Sequence, residues 1–317
     1  MAPTYLHHHG DFKDLILIVS EEKGIDPVLI EKDYWVMQGL YGLQQAGYRF
    51  ELKGGTSLSK GYQVIDRFSE DIDIHIHPPV HLGINENPKN TNPNNIKKRL
   101  DFYDRLAEEL NIDGFIEIKR DTTYDDTRYY RSGGIRLYYP TFFAALPGVK
   151  DGVLLEVGFD TVNPNRPLDI SSWALDKAAA SGISLIDNQA RDILCYDLRY
   201  TFVEKLQTIL TKYRVMEETG HTQVNFLRQY YDIYQLLQLS EVQDFLGSAE
   251  YQKHKHHRFP KAELEIPVKE NQAILLENSE IRTHLKSLYQ NSKGLYYSGQ
   301  PDFDQMIAFI STFSESL

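Results

Sequence analysis

The chain has 317 residues, 41% hydrophobic and 25% charged, a globular composition long enough for two modest domains. Its formal net charge of -11 excludes wholesale coating of nucleic acid, which needs many Lys and Arg contacts to phosphate, and leaves room only for a local basic groove. No run of about 18 apolar residues exists, which excludes a membrane-spanning helix. A single cysteine, Cys195, excludes an intrachain disulfide and a cysteine-based zinc cage. The start of the sequence lacks the basic-then-apolar order of a secretory signal, so the cytoplasm is the expected compartment.

Residues 11–46 read as helices. Leu15, Ile16, Ile18 and Val19 form an apolar stretch, and Asp26-Pro27 starts the next helix as N-cap and first helical residue. Residues 48–52 alternate like a strand and stop at Gly54-Gly55. Residues 57–64 suit a short helix, and Asp71-Ile72-Asp73-Ile74-His75-Ile76 alternates polar with apolar as a strand with one face turned to a site. The Asn- and Pro-rich stretch 83–95 reads as a loop, and helical spacing resumes over 96–110. Strands are expected at 115–119, 135–139 and 153–159. Asn163-Pro164-Asn165-Arg166-Pro167 reads as a domain linker, followed by a mainly helical half with helices at 198–213 and 225–239. The expected class is α+β, a small mixed sheet flanked by helices with a helical C-terminal half. Expected divisions are 1–46, N-terminal helices; 47–165, the sheet domain; and 166–317, the helical domain.

The chemistry concentrates in Lys53-Gly54-Gly55-Thr56-Ser57-Leu58-Ser59-Lys60 and Arg67-Phe68-Ser69-Glu70-Asp71-Ile72-Asp73. Two glycines after a strand let backbone N–H groups approach a phosphate, Thr56 and Ser57 add hydroxyls, and the helix that follows presents its N-terminus to anionic oxygens. Asp71 and Asp73, two apart on a strand, point from one face. Like charges that close repel by a few kcal/mol, about 4 at an effective dielectric of 20, and a divalent cation removes the conflict. Oxygen-only donors suit Mg²⁺ or Mn²⁺ with substrate phosphates completing the shell. A lone Asp-x-Asp is more often a solvated edge and a lone Gly-Gly a turn. In the order strand, glycine loop, helix, strand, they read as a phosphate loop facing a metal-carboxylate pair. No Gly-Lys-Ser/Thr closes the loop, so it is not a Walker loop.

These two segments resemble the signature of the AbiEii/AbiGii nucleotidyltransferase toxins, in the polymerase-beta-like nucleotidyltransferase superfamily, and Glu31-Lys32-Asp33-Tyr34-Trp35-Val36 is similar to a segment that precedes the glycine loop there. A second block, Glu204-Lys205-Leu206 with Arg228-Gln229-Tyr230-Tyr231-Asp232, resembles the family's Glu-Lys-Leu and Arg-Asp-x-x-Asp elements. It departs from them at Gln229, which stands where the family has Asp, and in a longer gap after Lys205. The resemblance covers residues 31–234 and places Lys205 and Asp232 in the active site. Read from composition alone, Lys205 on an apolar-periodic helix is an exposed lysine or one that meets an anion, and Asp232 is a helix-surface residue or an i,i+4 partner of Arg228. The superfamily adds a third metal carboxylate on a later strand. Glu156, an acid within an apolar strand, is the candidate and Asp160 the reserve.

His75 and His77 share the face of Asp71 and Asp73, where they either approach the site or pack at the strand end. His254, His256 and His257 lack ligand spacing. The resulting expectation is a metal-dependent nucleotidyltransferase. Gly54, Gly55, Thr56, Ser57 and Lys60 hold the triphosphate, Asp71, Asp73 and Glu156 the metal, and Lys205 and Asp232 close one site across the two halves. The resemblance implies a toxin of a toxin–antitoxin or phage-defence pair, with a nucleoside triphosphate (NTP) as substrate, tRNA or another RNA as acceptor, and a cognate antitoxin as partner. Two alternatives stay open: a small-molecule, resistance-type transferase and a non-catalytic nucleotide-binding module.

Overall fold

A computed structural model describes residues 3–160, 162–223 and 225–317. The chain forms two compact units: one of the residues through Tyr62 with Phe68–Tyr196, the other of Gln63–Arg67 with Asp197–Leu317.

The first unit begins with helices α1 (Phe12–Lys23) and α2 (Pro27–Gln45). Asp26 caps α2 by accepting from the Val28 N–H, with Pro27 where its missing N–H costs nothing. A seven-stranded mixed sheet follows, built from β1 (Arg49–Lys53), β2 (Asp71–His77), β3 (Glu117–Arg120), β4 (Ser132–Tyr138), β5 (Val153–Gly158), β6 (Asn165–Ile170) and β7 (Ala190–Tyr196) in the order β3-β4-β5-β2-β1-β7-β6. β2 runs antiparallel to β1 and parallel to β5. Between β1 and β2 lies a helical turn α3 (Gly54–Thr56) that winds on as a π-type turn over Ser57–Gly61. Helices α4 (Pro93–Glu109) and α5 (Trp173–Ala180) complete the unit.

Alternation on β2 buries Ile72, Ile74 and Ile76 completely, each worth about 1.5–3 kcal/mol of transfer free energy. Helix α2 packs close to that face: a Cβ on Gly39 would sit 2.9 Å from Ile72 Cδ1. The opposite parity (Asp71, Asp73, His75, His77) is left for chemistry.

Two expectations shift. The linker expected at 163–167 runs into β6, where Pro167 pairs with Leu194 of β7. β6 is the sheet's last strand, and an edge tolerates a residue with no N–H to donate. The boundary expected at 165/166 therefore falls after Tyr196, and residues 1–46 share a unit with the sheet rather than standing apart. The helix expected at 57–64 starts three residues earlier, at Gly54, and ends at Gly61.

In the second unit α6 (Leu198–Thr219) is capped by Asp197 and ended by Gly220 in the left-handed region. α7 (Phe226–Leu236) follows, and the remainder is mainly helical, closing with a helix at Phe303–Ser311 that packs on α7. Residues 63–67 belong here through their backbone. Asp66 N–H donates to the Tyr231 hydroxyl (3.0 Å), Tyr297 N–H donates to the Asp66 carbonyl (3.1 Å), and Arg67 bridges Tyr296.

Candidate active site

β1 ends at Lys53 and the backbone turns at Gly54 with φ 74°, a conformation that carries no penalty only for glycine. A Cβ at this position would lie 2.3 Å from Asp73 Oδ2, so the glycine loop and the carboxylate are in contact. Gly54→Ala should cost about 1–3 kcal/mol of stability through backbone strain and collision. It should lower transfer activity more than stability, because Asp73 has to move. Urea denaturation beside a transfer assay tests this: a G54A protein with wild-type activity would mean that the contact is dispensable.

The sheet register brings the carboxylates together. Asp73 pairs with Glu156 of the parallel neighbour β5 and with Lys53 of β1, so Asp71, Asp73, Glu156 and Lys53 share one face. Burial, then the charges of Asp73 and Asp71, push the Glu156 carboxyl up to about 8. Burial also raises Asp71, with Lys150 opposing and Asp73 adding to the rise. Asp71 Oδ2 receives the Lys150 ammonium at 2.6 Å, while its Oδ1 is buried with no hydrogen-bond partner among the described residues. The crowding that raises the Glu156 carboxyl and the orphaned Asp71 oxygen mark concentrated negative charge, so these residues fit a divalent cation with oxygen ligands. The reserve residue Asp160 instead sets its carboxylate 3.7 Å from Lys53 Nζ.

Other expected phosphate groups are tied to the protein. The Thr56 hydroxyl donates to the Asp71 carbonyl and lies 3.1 Å from the Ser69 hydroxyl; Ser57 is buried. Lys60 meets the buried Asp33 at 2.7 Å and lies over the Trp173 ring.

Sequence reading assigned no role to the buried triplet of α2. Glu31 accepts from the Phe142 N–H (3.0 Å) and the Thr141 hydroxyl (2.6 Å), and Asp33 accepts from the Trp173 N–H (2.9 Å) at the start of α5. The Lys32 ammonium donates to Glu70 (2.9 Å) and to the Lys150 carbonyl, while Glu70 also accepts the Lys150 N–H (2.8 Å). The Lys32–Glu70 pair thus fixes the backbone of the residue whose ammonium rests on Asp71. Three consecutive charges in a helix buried on nearly every side were the available signal, because buried charges need partners. Lys150, in a segment without periodicity, gave none.

In the second unit Asp232 is fully buried and both its oxygens are engaged. Arg67 grips it with two bonds of 2.6 and 2.7 Å, and Lys205 approaches at 2.7 Å. The longer gap between the helices therefore does not separate Lys205 from Asp232. Gln229, where the family has Asp, accepts from Lys205 at 3.2 Å. Burial alone would raise the Asp232 carboxyl, but Arg67 and Lys205 hold it below the usual range. Lys212, one turn pair beyond Lys205 on α6, is lowered by burial and then by the charges of Lys205 and Arg228.

The sequence matches the family model described as "Nucleotidyl transferase AbiEii toxin, Type IV TA system" over residues 35–309. The chain belongs to the AbiEii nucleotidyltransferase toxin family. As an AbiEii member it is a nucleotidyltransferase and the toxin of a toxin–antitoxin system, which implies a nucleotide substrate and an antitoxin partner; the family generally uses an NTP with a divalent metal. No curated protein matches the sequence. Among solved structures, the crystal structure of an antigenic nucleotidyltransferase-like protein from Paracoccidioides brasiliensis is similar at 13% identity and a TM-score of 0.36, over 81% of this chain and 93% of that one. Among the described residues no helix of this AbiEii chain is long and apolar enough to cross a membrane.

Proposed function

We propose that the protein transfers a nucleoside monophosphate from an NTP to an RNA acceptor, tRNA foremost, with Mg²⁺ or Mn²⁺ held by Asp71, Asp73 and Glu156. The observation that carries this reading is the shared face of the three carboxylates with the Gly54 turn set against Asp73. A bound divalent cation supplies Lewis-acid stabilisation of charge on the transferring phosphoryl group. Gly54 and Gly55 offer backbone N–H groups to the triphosphate, and Thr56 and Ser57 shape that turn from within. Lys60 steadies the loop through Asp33 and adds positive charge beside it. An acceptor hydroxyl attacks the α-phosphorus in line, and the bond to the bridging oxygen breaks as pyrophosphate leaves.

Lys205 is assigned to neutralising phosphate charge, and Asp232 acts through Lys205 as a positioning residue. The chemistry of α6 supports this assignment, since Lys212 adds a partly buried cation on the same helix as Lys205. The intact Asp71–Asp73 pair supports an enzyme over a binding module.

Incubation with each radiolabelled NTP, Mg²⁺ or Mn²⁺ and bulk tRNA should label RNA and release pyrophosphate. Label on a small molecule or on protein would replace the RNA reading, and binding without pyrophosphate release would leave a nucleotide-binding module.

A further inference from the structure

Along the same face of β1 and β2, past the carboxylates, lies a second group of donors. Glu51, His75 and His77 each bring one ligand atom to within 4.8 Å of the others. Glu51 pairs with His75 across the strands, and His77 follows two residues on, so alternation sends all three side chains the same way. Glu86 arrives from the loop before α4, its Oε2 standing 2.8 Å from His77 Nδ1 and 3.3 Å from His75 Nε2. That loop is fastened. The buried Arg99 guanidinium donates to the carbonyls of Asn85, Asn87 and Asn90, and the Asn85 and Asn87 side chains each accept from the backbone N–H two residues on. A cavity of about 300 Å³ opens onto the four side chains.

Hydrogen bonds fix both rings of this group. His75 Nδ1 lies 2.5 Å from the Asp160 carbonyl oxygen, which can only accept, so Nδ1 donates there and Nε2 points toward Glu86. His77 meets a carboxylate at each nitrogen, Glu51 at 2.9 Å and Glu86 at 2.8 Å. Among the described residues no lysine or arginine pairs with Glu51 or Glu86. A histidine whose Nδ1–H is anchored on a carbonyl, leaving Nε2 toward carboxylates, has the orientation used to ligate a metal.

We propose that Glu51, His75 and His77 bind a divalent transition-metal ion at a site separate from the carboxylates of Asp71, Asp73 and Glu156, with Glu86 orienting the His77 ring through its Nδ1. Two imidazoles with a carboxylate suit Zn²⁺ and its first-row neighbours rather than Mg²⁺, which favours all-oxygen shells. Asp73 and His75 are two residues apart, which sets the two donor groups about 7 Å apart along β2. The ion ties β1 and β2 together beside the active face, and Glu86 joins its loop to the same group through His77.

The test is Co²⁺ titration of chelator-stripped protein in a H8A/D113N background, which breaks the other cluster of possible ligands, His7, His8 and Asp113. One Co²⁺ per chain should bind with the visible absorption of a low-coordinate site and be displaced by stoichiometric Zn²⁺. Binding should persist in D71N/D73N, disappear in H75N/H77N and weaken about ten- to a hundredfold in E86Q. Circular dichroism checks the folding of each variant; should H75N/H77N fail to fold, E86Q, altered on the loop alone, decides. No stoichiometric Co²⁺ in the background protein, binding that survives H75N/H77N or is unchanged in E86Q, or binding lost in D71N/D73N would each overturn the site.

Discussion

Asp73→Asn protein should fold like the wild type and lose nucleotidyl transfer by about a thousandfold or more, on the order of 4 kcal/mol of transition-state stabilisation. Asparagine keeps the volume that fills the space against Gly54, so the loop has no reason to move. What disappears is the charge at the centre of the group, paired in register with Glu156 on one side and Lys53 on the other. The same substitution removes a repulsion. Asp73 follows burial as a cause of the raised Glu156 carboxyl, so in chelator the variant should melt no lower than wild type. Added Mg²⁺ or Mn²⁺ should then stabilise only the wild type, by mass action. Thermal melts with and without metal, beside a single-turnover assay, give both readouts. Activity within tenfold of wild type would remove Asp73 from the metal site.

The largest stability effect belongs to Asp232. Replacing it with alanine leaves Arg67 and Lys205 buried around a missing anion, and breaking a buried pair in this way costs about 3–5 kcal/mol. The pH profile follows from its depressed carboxyl. The unfolded side chain titrates near 3.9, so the contribution is complete above that value and drains away as pH falls through the lower folded-state value. The gap between wild type and Asp232→Ala in urea midpoint should therefore be full at pH 7 and narrow in strong acid. A gap that stays constant down to pH 2 would show that the carboxylate charge is not what stabilises the fold. An apolar pair, Arg67→Met with Asp232→Leu, should recover much of the loss while leaving Lys205 without its anchor, separating a stability defect from a phosphate-binding one.

The glycine loop and its flanking strands were legible because each follows a local rule. Alternation marks β2, two glycines mark a turn, and acids two apart on a strand must share a face. Glu156 stands out for a similar reason, as an acid in an otherwise apolar strand. The linker was misread because Asn-Pro-Asn-Arg-Pro carries every local mark of a break, and only the sheet's strand order reveals that Pro167 lies on an edge. Lys150 and Arg67 depend on contacts across 79 and 165 positions, which no periodicity encodes. The Glu31-Lys32-Asp33 triplet was visible as an anomaly, but its partners Thr141, Phe142, Glu70, Lys60 and Trp173 are scattered over the chain.

The second unit borrows Gln63–Arg67 from the stretch between the glycine loop and Asp71. It is therefore discontinuous in sequence, and a fragment cut at 197 would bury Asp232 without the guanidinium that neutralises it. On the ribosome, Arg67 emerges long before Asp232 exists. A chain that stalls or is cleaved before α7 carries a complete glycine loop and both aspartates, but its Arg67 lacks the Asp232 carboxylate. For a toxin, that order of synthesis ties the finishing of the fold to the finishing of the chain.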